Sequence, residues 1–361
     1  MGRRLYRRVL SVVMTDQIVA AQGAAEGAGS AAVAGTAPSG PASSAPILPW
    51  PGEVMQTRSG DVFVRSGPDR PGSESAVFVH GLGGSALNWT DLMGLVSDAN
   101  AEPSRAAEAL DLPGFGFSPP PADGDYSLDA RVAAVIALID KRAYGPVHLI
   151  GNSLGGAIST RVAARRPDLV RTLTLISPAL PDLRPRPLPL RLAVVAMPGV
   201  GRWLVNKMQS VPPERRAETS IAELYVDPNR IRPERRAEAI AEIIRRDGLG
   251  YSVDALLGSA RSLLTEDTRP GPGSLWADAA RVTAPTLLIH GSHDRLVNPG
   301  MAGRAARTFP NCRVIVLPRI GHVAMMERPE EVAAEMRDFL RRAGVAAMAS
   351  QDRTALGAVG R

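Results

Sequence analysis

The chain has 361 residues, of which 45% are apolar and 22% are charged, so it can bury a large core. Its 42 Lys and Arg residues exceed its 36 Asp and Glu residues, which gives a formal net charge of +6 that is spread along the sequence. Aromatic residues make up only 4%, whereas a nucleic-acid-binding surface interleaves aromatic with basic side chains. The composition therefore argues against a nucleic-acid partner.

The cysteine content and the apolar runs indicate the compartment. The single cysteine, Cys312, cannot form an internal disulfide and is typical of a reducing environment. No apolar run reaches the roughly 18 residues that span a bilayer. The basic N-terminus is followed by an apolar run over 9–14 only, shorter than the core of a secretory signal. We therefore expect a cytoplasmic protein without a membrane span, whose translation starts at Met1 or at Met14.

Both ends of the chain are predicted to lie outside the folded part. Residues 20–51 are mostly Ala, Gly, Ser and Pro, which cannot bury enough apolar surface to offset the entropy lost on ordering. The stretch after Gly344 has a similar composition. We expect a disordered N-terminal tail over 1–52 and a flexible C-terminal tail over 343–361.

Between the tails, strand and helix patterns alternate. A hairpin is predicted over 53–67, with its turn at Ser59-Gly60. Apolar runs that stop at glycine predict strands at 75–81 and 108–114, and 127–142 has helical periodicity with Ser127 as N-cap. The later elements are VHLIG (147–151), LGGAISTRVAARR (154–166), RTLTLIS (171–177), TLLIHG (286–291), MAGRAARTF (301–309), CRVIVLP (312–318) and EEVAAEMRDFLRRA (330–343). This alternation predicts an α/β fold with a parallel sheet covered on both faces.

Residues 181–280 break this alternation. The motif PERRAE occurs at 213–218 and again at 233–238, and Pro at the first helical position with Glu beside it is typical of a helix start. After the second copy, an apolar stripe is formed by Ala237, Ile240, Ala241 and Ile244. We predict a helical lid over 181–280, inserted into a core formed by 53–180 and 281–342.

Polar motifs follow the predicted strands, at the edge where the working groups of α/β sheets collect. They are HGLGG (80–84), DLPGFGFS (111–118), GNSLGG (151–156), HGSHD (290–294) and GH (321–322). A serine hydroxyl is a weak nucleophile that needs a nearby base, an acid that orients the base, and donors for the developing oxyanion. The chain offers these residues in the order Ser, Asp, His.

On these five motifs and their order, the chain resembles the lid-bearing α/β-hydrolase superfamily, in the branch of serine esterases and carbon–carbon bond hydrolases. The resemblance covers about residues 53–342, except the lid. It implies a mostly parallel eight-stranded sheet with helices on both faces and an inserted helical lid.

The resemblance also implies a role for each site residue. Ser153 would be the nucleophile, on a strained strand-to-helix turn called the nucleophile elbow. His322 would be the general base and Asp294 would orient it. The backbone N–H groups of Leu82 and Leu154 would form the oxyanion hole. No cofactor is implied.

Other polar residues have competing interpretations. Asp182, after the strand that precedes the lid, is a second candidate for the acid, although its neighbouring prolines favour a hinge. Asp111 and His80 are expected to hold their loops by hydrogen bonds, and His148 to pack in the core. His290 and His293 flank the loop of Asp294 and invite a metal interpretation, but no further ligand is grouped with them, so no metal is predicted.

The leading functional hypothesis is a serine hydrolase that cleaves a small-molecule carboxylic ester or acyl substrate through an acyl-enzyme. Ser153 excludes haloalkane dehalogenases and epoxide hydrolases, which carry Asp there. Carbon–carbon bond hydrolases of ring-fission products share GNS-x-GG, but they usually have Trp where this chain has Val323 and G-x-G-P-G where it has GLGGS (81–85). A cofactor-free perhydrolase or acyltransferase, or a non-catalytic binding scaffold, are further alternatives. The sequence does not indicate the oligomeric state.

Overall fold

The computed structural model describes residues 47–67, 74–97, 105–182, 193–197 and 199–359. The predicted N-terminal tail lies outside the described residues up to position 46. From Ile47 onward the chain packs on the core, ahead of the predicted start at residue 53. The Trp50 indole donates a hydrogen bond to the Thr90 carbonyl at 3.0 Å, and the Ile47 side chain lies against Gly94. Ile47 and Trp50, at the end of the segment of small residues, therefore bury apolar surface. The average composition of this segment does not predict this burial.

Eight strands in the described residues form one sheet, in the order β1-β2-β4-β3-β5-β6-β7-β8. Their bounds are β1 Gly52–Thr57, β2 Gly60–Ser66, β3 Glu74–Val79, β4 Arg105–Leu110, β5 Val147–Asn152, β6 Val170–Ile176, β7 Thr286–Gly291 and β8 Cys312–Leu317. Strand β2 is antiparallel to both β1 and β4, and all other neighbours are parallel. The mostly parallel eight-stranded sheet predicted from the resemblance is confirmed.

Helices cover both faces of this sheet. They are α1 (Thr90–Val96), α2 (Leu128–Arg142), α3 (Leu154–Arg165), α4 (Val200–Gln209), α5 (Pro213–Leu224), α6 (Pro233–Asp247), α7 (Ser252–Thr268), α8 (Leu275–Arg281), α9 (Met301–Thr308), α10 (Ala324–Glu327) and α11 (Pro329–Val359). Alternate residues of β3 belong to different apolar clusters: Val77 packs with α2, α3, α8 and α9, while Phe78 packs with α1, α10 and α11. The core therefore has two layers, one on each face.

Helix α2 forms as its sequence predicts. The Ser127 hydroxyl accepts a hydrogen bond from the Ala130 N–H at 3.1 Å and caps the first turn. The apolar face is buried from Leu128 to Ile139. The helix ends where Ala143 adopts a left-handed conformation with φ of 52°.

Between β6 and β7 the chain makes a helical insertion that contains α4 to α8. Helices α5 and α6 both begin with the proline of a PERRAE copy, as predicted. The predicted apolar stripe of α6 does not face the core, and Ile244 is 54% exposed. Instead Arg235 is buried, because its guanidinium bonds Asp91 of α1 at 3.2 Å and also the Ile47 carbonyl. The inward side of α6 thus carries Arg235 together with Ile243, the other buried residue of this helix.

The last helices of the insertion are fixed to α3 by one buried arginine. The Arg161 guanidinium bonds Glu266 of α7 at 2.6 Å and Asp278 of α8 at 2.7 Å. Breaking such a buried pair costs about 3–5 kcal/mol. Leu275 of α8 belongs to the same apolar cluster as α3. The core packing therefore resumes before the predicted boundary at residue 281.

The C-terminal helix is longer than expected. The sequence predicts a flexible tail over 343–361, but α11 continues to Val359. The residues after Gly344 include five Ala, which favour helix, and each of the two glycines inside α11, Gly344 and Gly357, lowers helix stability by only about 1 kcal/mol. Composition alone does not distinguish such a segment from a flexible tail.

Candidate active site

Ser153 occupies the turn between β5 and α3. Its backbone has φ of 54° and ψ of −118°, a conformation that costs a non-glycine residue about 1–3 kcal/mol. The Ser153 N–H donates to the Ile176 carbonyl at 3.1 Å, which holds this turn against the end of β6. Ser153 is half-exposed, whereas Asn152 and Leu154 on either side are buried. The fold thus presents this one hydroxyl at the sheet edge.

Three glycines permit this tight turn. A Cβ on Gly155 would collide with the backbone carbonyl oxygens of Val79 and His80. A Cβ on Gly156 would lie 2.7 Å from the Cβ of Pro178, and one on Gly151 would meet the backbone of Gly155. The turn of Ser153 can therefore approach β3 closely only because these side chains are absent.

Replacing Gly155 by Ala is expected to destabilise the protein by about 2–3 kcal/mol, because the added methyl meets backbone atoms that cannot rotate away. Urea unfolding of the variant and the wild type would measure this difference. Gly250→Ala is the matched control, since no atom lies within 4 Å of an added Cβ there. The control should change stability by less than about 0.5 kcal/mol. Equal stabilities of the two variants would contradict this account of the turn.

Two backbone N–H groups are free near Ser153. The loop after β3 passes directly beside the serine, since a Cβ on Gly81 would lie 3.1 Å from the Ser153 Cβ. Within the described part of the chain, neither the Leu82 N–H nor the Leu154 N–H donates a hydrogen bond. Leu154 is also the first residue of α3, where the helix dipole is positive. Both groups are available to an anionic oxygen.

His322 and Asp294 are hydrogen-bonded to each other. The Nδ1 atom of His322 lies 2.8 Å from Oδ2 of Asp294, and both side chains are buried. Burial alone would raise the pKa of Asp294, but the charge and hydrogen bond of His322 and the N–H of Val297 outweigh it, so the pKa is lowered. An ionised carboxylate only accepts hydrogen bonds, so Nδ1 carries a proton and, in the neutral form of the ring, the lone pair is on Nε2. The ring therefore has the tautomer that a general base requires.

The backbone of the His322 loop is anchored by three other segments. The His322 N–H donates to the Leu224 carbonyl at 2.8 Å, and the Asn152 amide donates to the His322 carbonyl at 3.3 Å. The Gly321 N–H donates to Oε2 of Glu327 at 2.8 Å. Sequence reasoning did not identify Asn152 or Glu327. The only signals were the GNS motif itself and a lone carboxylate after the apolar run that follows His322.

His80 and His148 have the structural roles predicted for them. The Nδ1–H of His80 donates to the Gly81 carbonyl at 2.7 Å, and the Leu112 N–H donates to Nε2 at 2.9 Å. Burial lowers the pKa of His80 to about 4, so the ring stays neutral and joins the loops after β3 and β4. His148 packs inside β5 and bonds the Thr172 hydroxyl at 2.8 Å.

The remaining candidates are engaged elsewhere. Asp111 accepts hydrogen bonds from two backbone N–H groups of neighbouring loops, at 2.6 and 2.8 Å, and burial raises its pKa to about 6. Asp182 accepts from the Asn298 amide at 3.0 Å. His290 is buried, which lowers its pKa to about 4, and His293 bonds the Ser292 hydroxyl at 2.8 Å. Within the described ranges, no three metal-ligating side chains are grouped closely enough to share an ion.

The insertion contacts two loops of this site through α6. The Arg246 guanidinium donates to the Gly83 carbonyl at 3.0 Å, and Arg245 donates to the Gly116 carbonyl at 2.5 Å. Gly83 follows Leu82 directly, so a charged group of the insertion lies at the edge of the loop that carries one free amide. The insertion is thus joined to the loop after β3 and to the loop after β4 by one arginine each.

Comparison with known proteins places the chain in a family. Residues 77–329 match the family model of the alpha/beta hydrolase fold. The dihydrolipoyllysine-residue acetyltransferase component of an acetoin cleaving system from Pseudomonas putida is 28% identical over 281 residues, which are 75% of this chain and 64% of that protein. The chain therefore spans less than two thirds of that relative.

Two further similarities cover most of both partners. A 2-hydroxy-6-oxononadienedioate/2-hydroxy-6-oxononatrienedioate hydrolase from Cupriavidus pinatubonensis is 25% identical over 276 residues, which are 74% of this chain and 87% of that protein. The crystal structure of a membrane phospholipase A, described as a bacterial virulence factor, has a TM-score of 0.65 at 22% identity and covers 95% of this chain and 99% of that one.

The family match covers well over half of the sequence, so the chain belongs to the α/β-hydrolase fold family. It is an α/β-fold hydrolase. Of the helices in the described ranges, none combines the length and the apolar character that crossing a bilayer requires.

Proposed function

We propose that this hydrolase cleaves carboxylic esters through an acyl-enzyme, with Ser153 as nucleophile, His322 as base and Asp294 as the orienting acid. The observation that carries the proposal is the 2.8 Å hydrogen bond from the His322 ring to Asp294. This bond turns Nε2 of the ring away from Asp294, and the backbone of the His322 loop is bonded to Asn152, the residue before Ser153.

The proposed reaction has two halves. Ser153 Oγ attacks the ester carbonyl while Nε2 of His322 takes its proton, and Asp294 stabilises the resulting imidazolium. The oxyanion is bound by the N–H groups of Leu82 and Leu154, each worth roughly 2.7–4 kcal/mol in the transition state. His322 then protonates the leaving alkoxide, and a water molecule activated by the same ring hydrolyses the acyl-enzyme.

The helical insertion would act as a lid in this reaction. This role is supported by the bond from α6 to Gly83, in the loop that passes beside Ser153, and by its bond to Gly116. A lid that excluded water from the acyl-enzyme would favour transfer to another nucleophile, which is the acyltransferase or perhydrolase alternative. The ratio of hydrolysis to transfer with an added alcohol would separate these outcomes.

The proposal is tested by a screen of p-nitrophenyl esters of increasing acyl length. We expect turnover with a pre-steady-state burst of p-nitrophenol equal to the enzyme concentration where deacylation is slower than acylation. A short-chain ester should be among the substrates that react. Absence of turnover across the whole series would contradict ester hydrolysis.

A carbon–carbon bond hydrolase is the second candidate, and one observation favours it. Arg246 is half-buried, yet within the described residues it bonds no carboxylate, because Glu242 is paired with Arg245 and Asp247 with Arg216. The Arg246 guanidinium, which bonds the Gly83 carbonyl through one nitrogen, would bind a substrate carboxylate through its other nitrogens, and the name of the Cupriavidus relative specifies a dicarboxylate substrate. The same screen should include one ring-fission product, whose cleavage in preference to every ester would establish this candidate.

A further inference from the structure

We propose that Glu327 is a positioning residue, which fastens the end of α5 to the His322 loop so that the insertion holds the general base in place. This inference rests on the proposed role of His322. Glu327 is a buried carboxylate of α10 that bonds both the chain leaving α5 and the His322 loop.

The contacts of Glu327 are all with backbone N–H groups. Its Oε1 accepts from Val226 and from Asp227, each at 3.1 Å, and its Oε2 accepts from Gly321 at 2.8 Å. One oxygen therefore binds the chain that leaves α5, and the other binds the residue before His322. The side chain thus bridges the chain at 226–227 to the chain at 321.

The surroundings of this carboxylate indicate that it is retained for these bonds. Glu327 is 3% exposed, and within the described residues it pairs with no Lys or Arg side chain. A buried carboxylate without a cation is costly unless its oxygens are hydrogen-bonded. Bonds from neutral N–H donors to an ionised acceptor are stronger than neutral ones. The hydrogen bonds from the three N–H donors offset the free-energy cost of burying the Glu327 carboxylate. The same bonds fix the two backbone segments that carry these donors.

The same two segments meet again beside Glu327. The His322 N–H donates to the Leu224 carbonyl at 2.8 Å, and Gly321 packs so closely on this carbonyl that a Cβ would collide with it. The end of α5 therefore forms the support on which residues 321 and 322 lie. A shift of this support moves the His322 backbone relative to Ser153.

A second carboxylate provides the matched control. Glu330 lies three residues further along and also bonds the insertion, through Arg232 at 3.4 Å. This pair is at the surface, where Glu330 is 63% exposed, and it does not contact the His322 loop. Surface pairs of this kind contribute about 0–1 kcal/mol.

The test compares Glu327→Gln with Glu330→Gln on a p-nitrophenyl ester that the wild type hydrolyses. The amide nitrogen of Gln cannot accept, so one of the two segments loses its acceptor. We expect kcat of E327Q to fall about 10–100-fold with KM within about threefold, because a base displaced by about 1 Å can cost 10²-fold. The E330Q variant should stay within about twofold of the wild type.

A double-mutant cycle separates positioning from a general loss of structure. In the His322→Ala background, E327Q should change the residual rate by less than about twofold, since it acts through the missing ring. The stability of each variant is measured in parallel by urea unfolding, which shows whether the variant is folded. If E327Q does not fold, Glu327→Asp replaces it, because the shorter carboxylate cannot reach both segments.

Two results would overturn the proposal. One is equal rates for the Glu327 and Glu330 variants. The other is that E327Q lowers the rate by the same factor whether His322 is present or replaced by Ala. The failure of the proposed function would look different. In that case His322→Ala itself would retain the wild-type rate, whatever the behaviour of Glu327.

Discussion

Replacing Ser153 by Ala is expected to lower kcat for a p-nitrophenyl ester by about 10⁴–10⁶-fold, since removal of the nucleophile disables the whole triad. Stability should change little, because the side chain is half-exposed and Ala meets the same backbone strain as Ser at φ of 54°. Steady-state assays together with thermal unfolding measure both quantities.

The matched control for this change is Ser159→Ala. Ser159 lies in the same helix, α3, and its buried hydroxyl has no hydrogen-bond partner among the described residues. The control should retain activity within about threefold. A fluorophosphonate should label the wild type and S159A once, and S153A not at all. An unlabelled wild type would indicate a binding scaffold, and an active S153A would reject the nucleophile.

Replacing Asp294 by Asn is expected to lower kcat by about 10⁴-fold, because an amide no longer enforces the tautomer with Nδ1–H and does not stabilise the imidazolium. Asp182→Asn is the matched control, since Asp182 is the other candidate acid but bonds the Asn298 amide instead. The control should stay within about threefold of the wild type. A large fall in kcat of D182N together with a small fall in kcat of D294N would show that Asp182, and not Asp294, is the orienting acid.

The Asp294 substitution should also change the pH dependence of stability. The pKa of Asp294 is lowered in the folded protein, so its contribution to stability is present above the ordinary carboxyl pKa of about 4 and is lost as the pH falls through the lower folded value. Urea unfolding of D294N should therefore vary less with pH below about pH 4 than that of the wild type. An unchanged slope would show that this carboxylate is not preferentially ionised in the folded state.

The sequence predicts those parts of the molecule whose physical cause is local. Ser127 and the apolar face after it determine α2, and the two prolines at 213 and 233 determine where α5 and α6 begin. The glycines around Ser153 are similarly local, because a tight turn between strand and helix needs small residues at fixed offsets. These features can be read from spacing alone.

The features that could not be predicted depend on contacts between distant segments. The inward side of α6 includes Arg235, which bonds Asp91, and no periodicity relates these two residues. The supports of the His322 loop come from Asn152, Leu224 and Glu327, and each partner is specified only once the sheet and the insertion have been assembled. Composition likewise concealed the packing of Trp50 and the extension of α11.

The unusual backbone at Ser153 has a consequence for any attempt to make this enzyme more robust. A glycine would relax that conformation, so at this position the residue that favours thermal tolerance differs from the residue that the proposed reaction requires. Selection for heat resistance alone would therefore tend to remove the hydroxyl, and a useful engineering screen must reward turnover and endurance together.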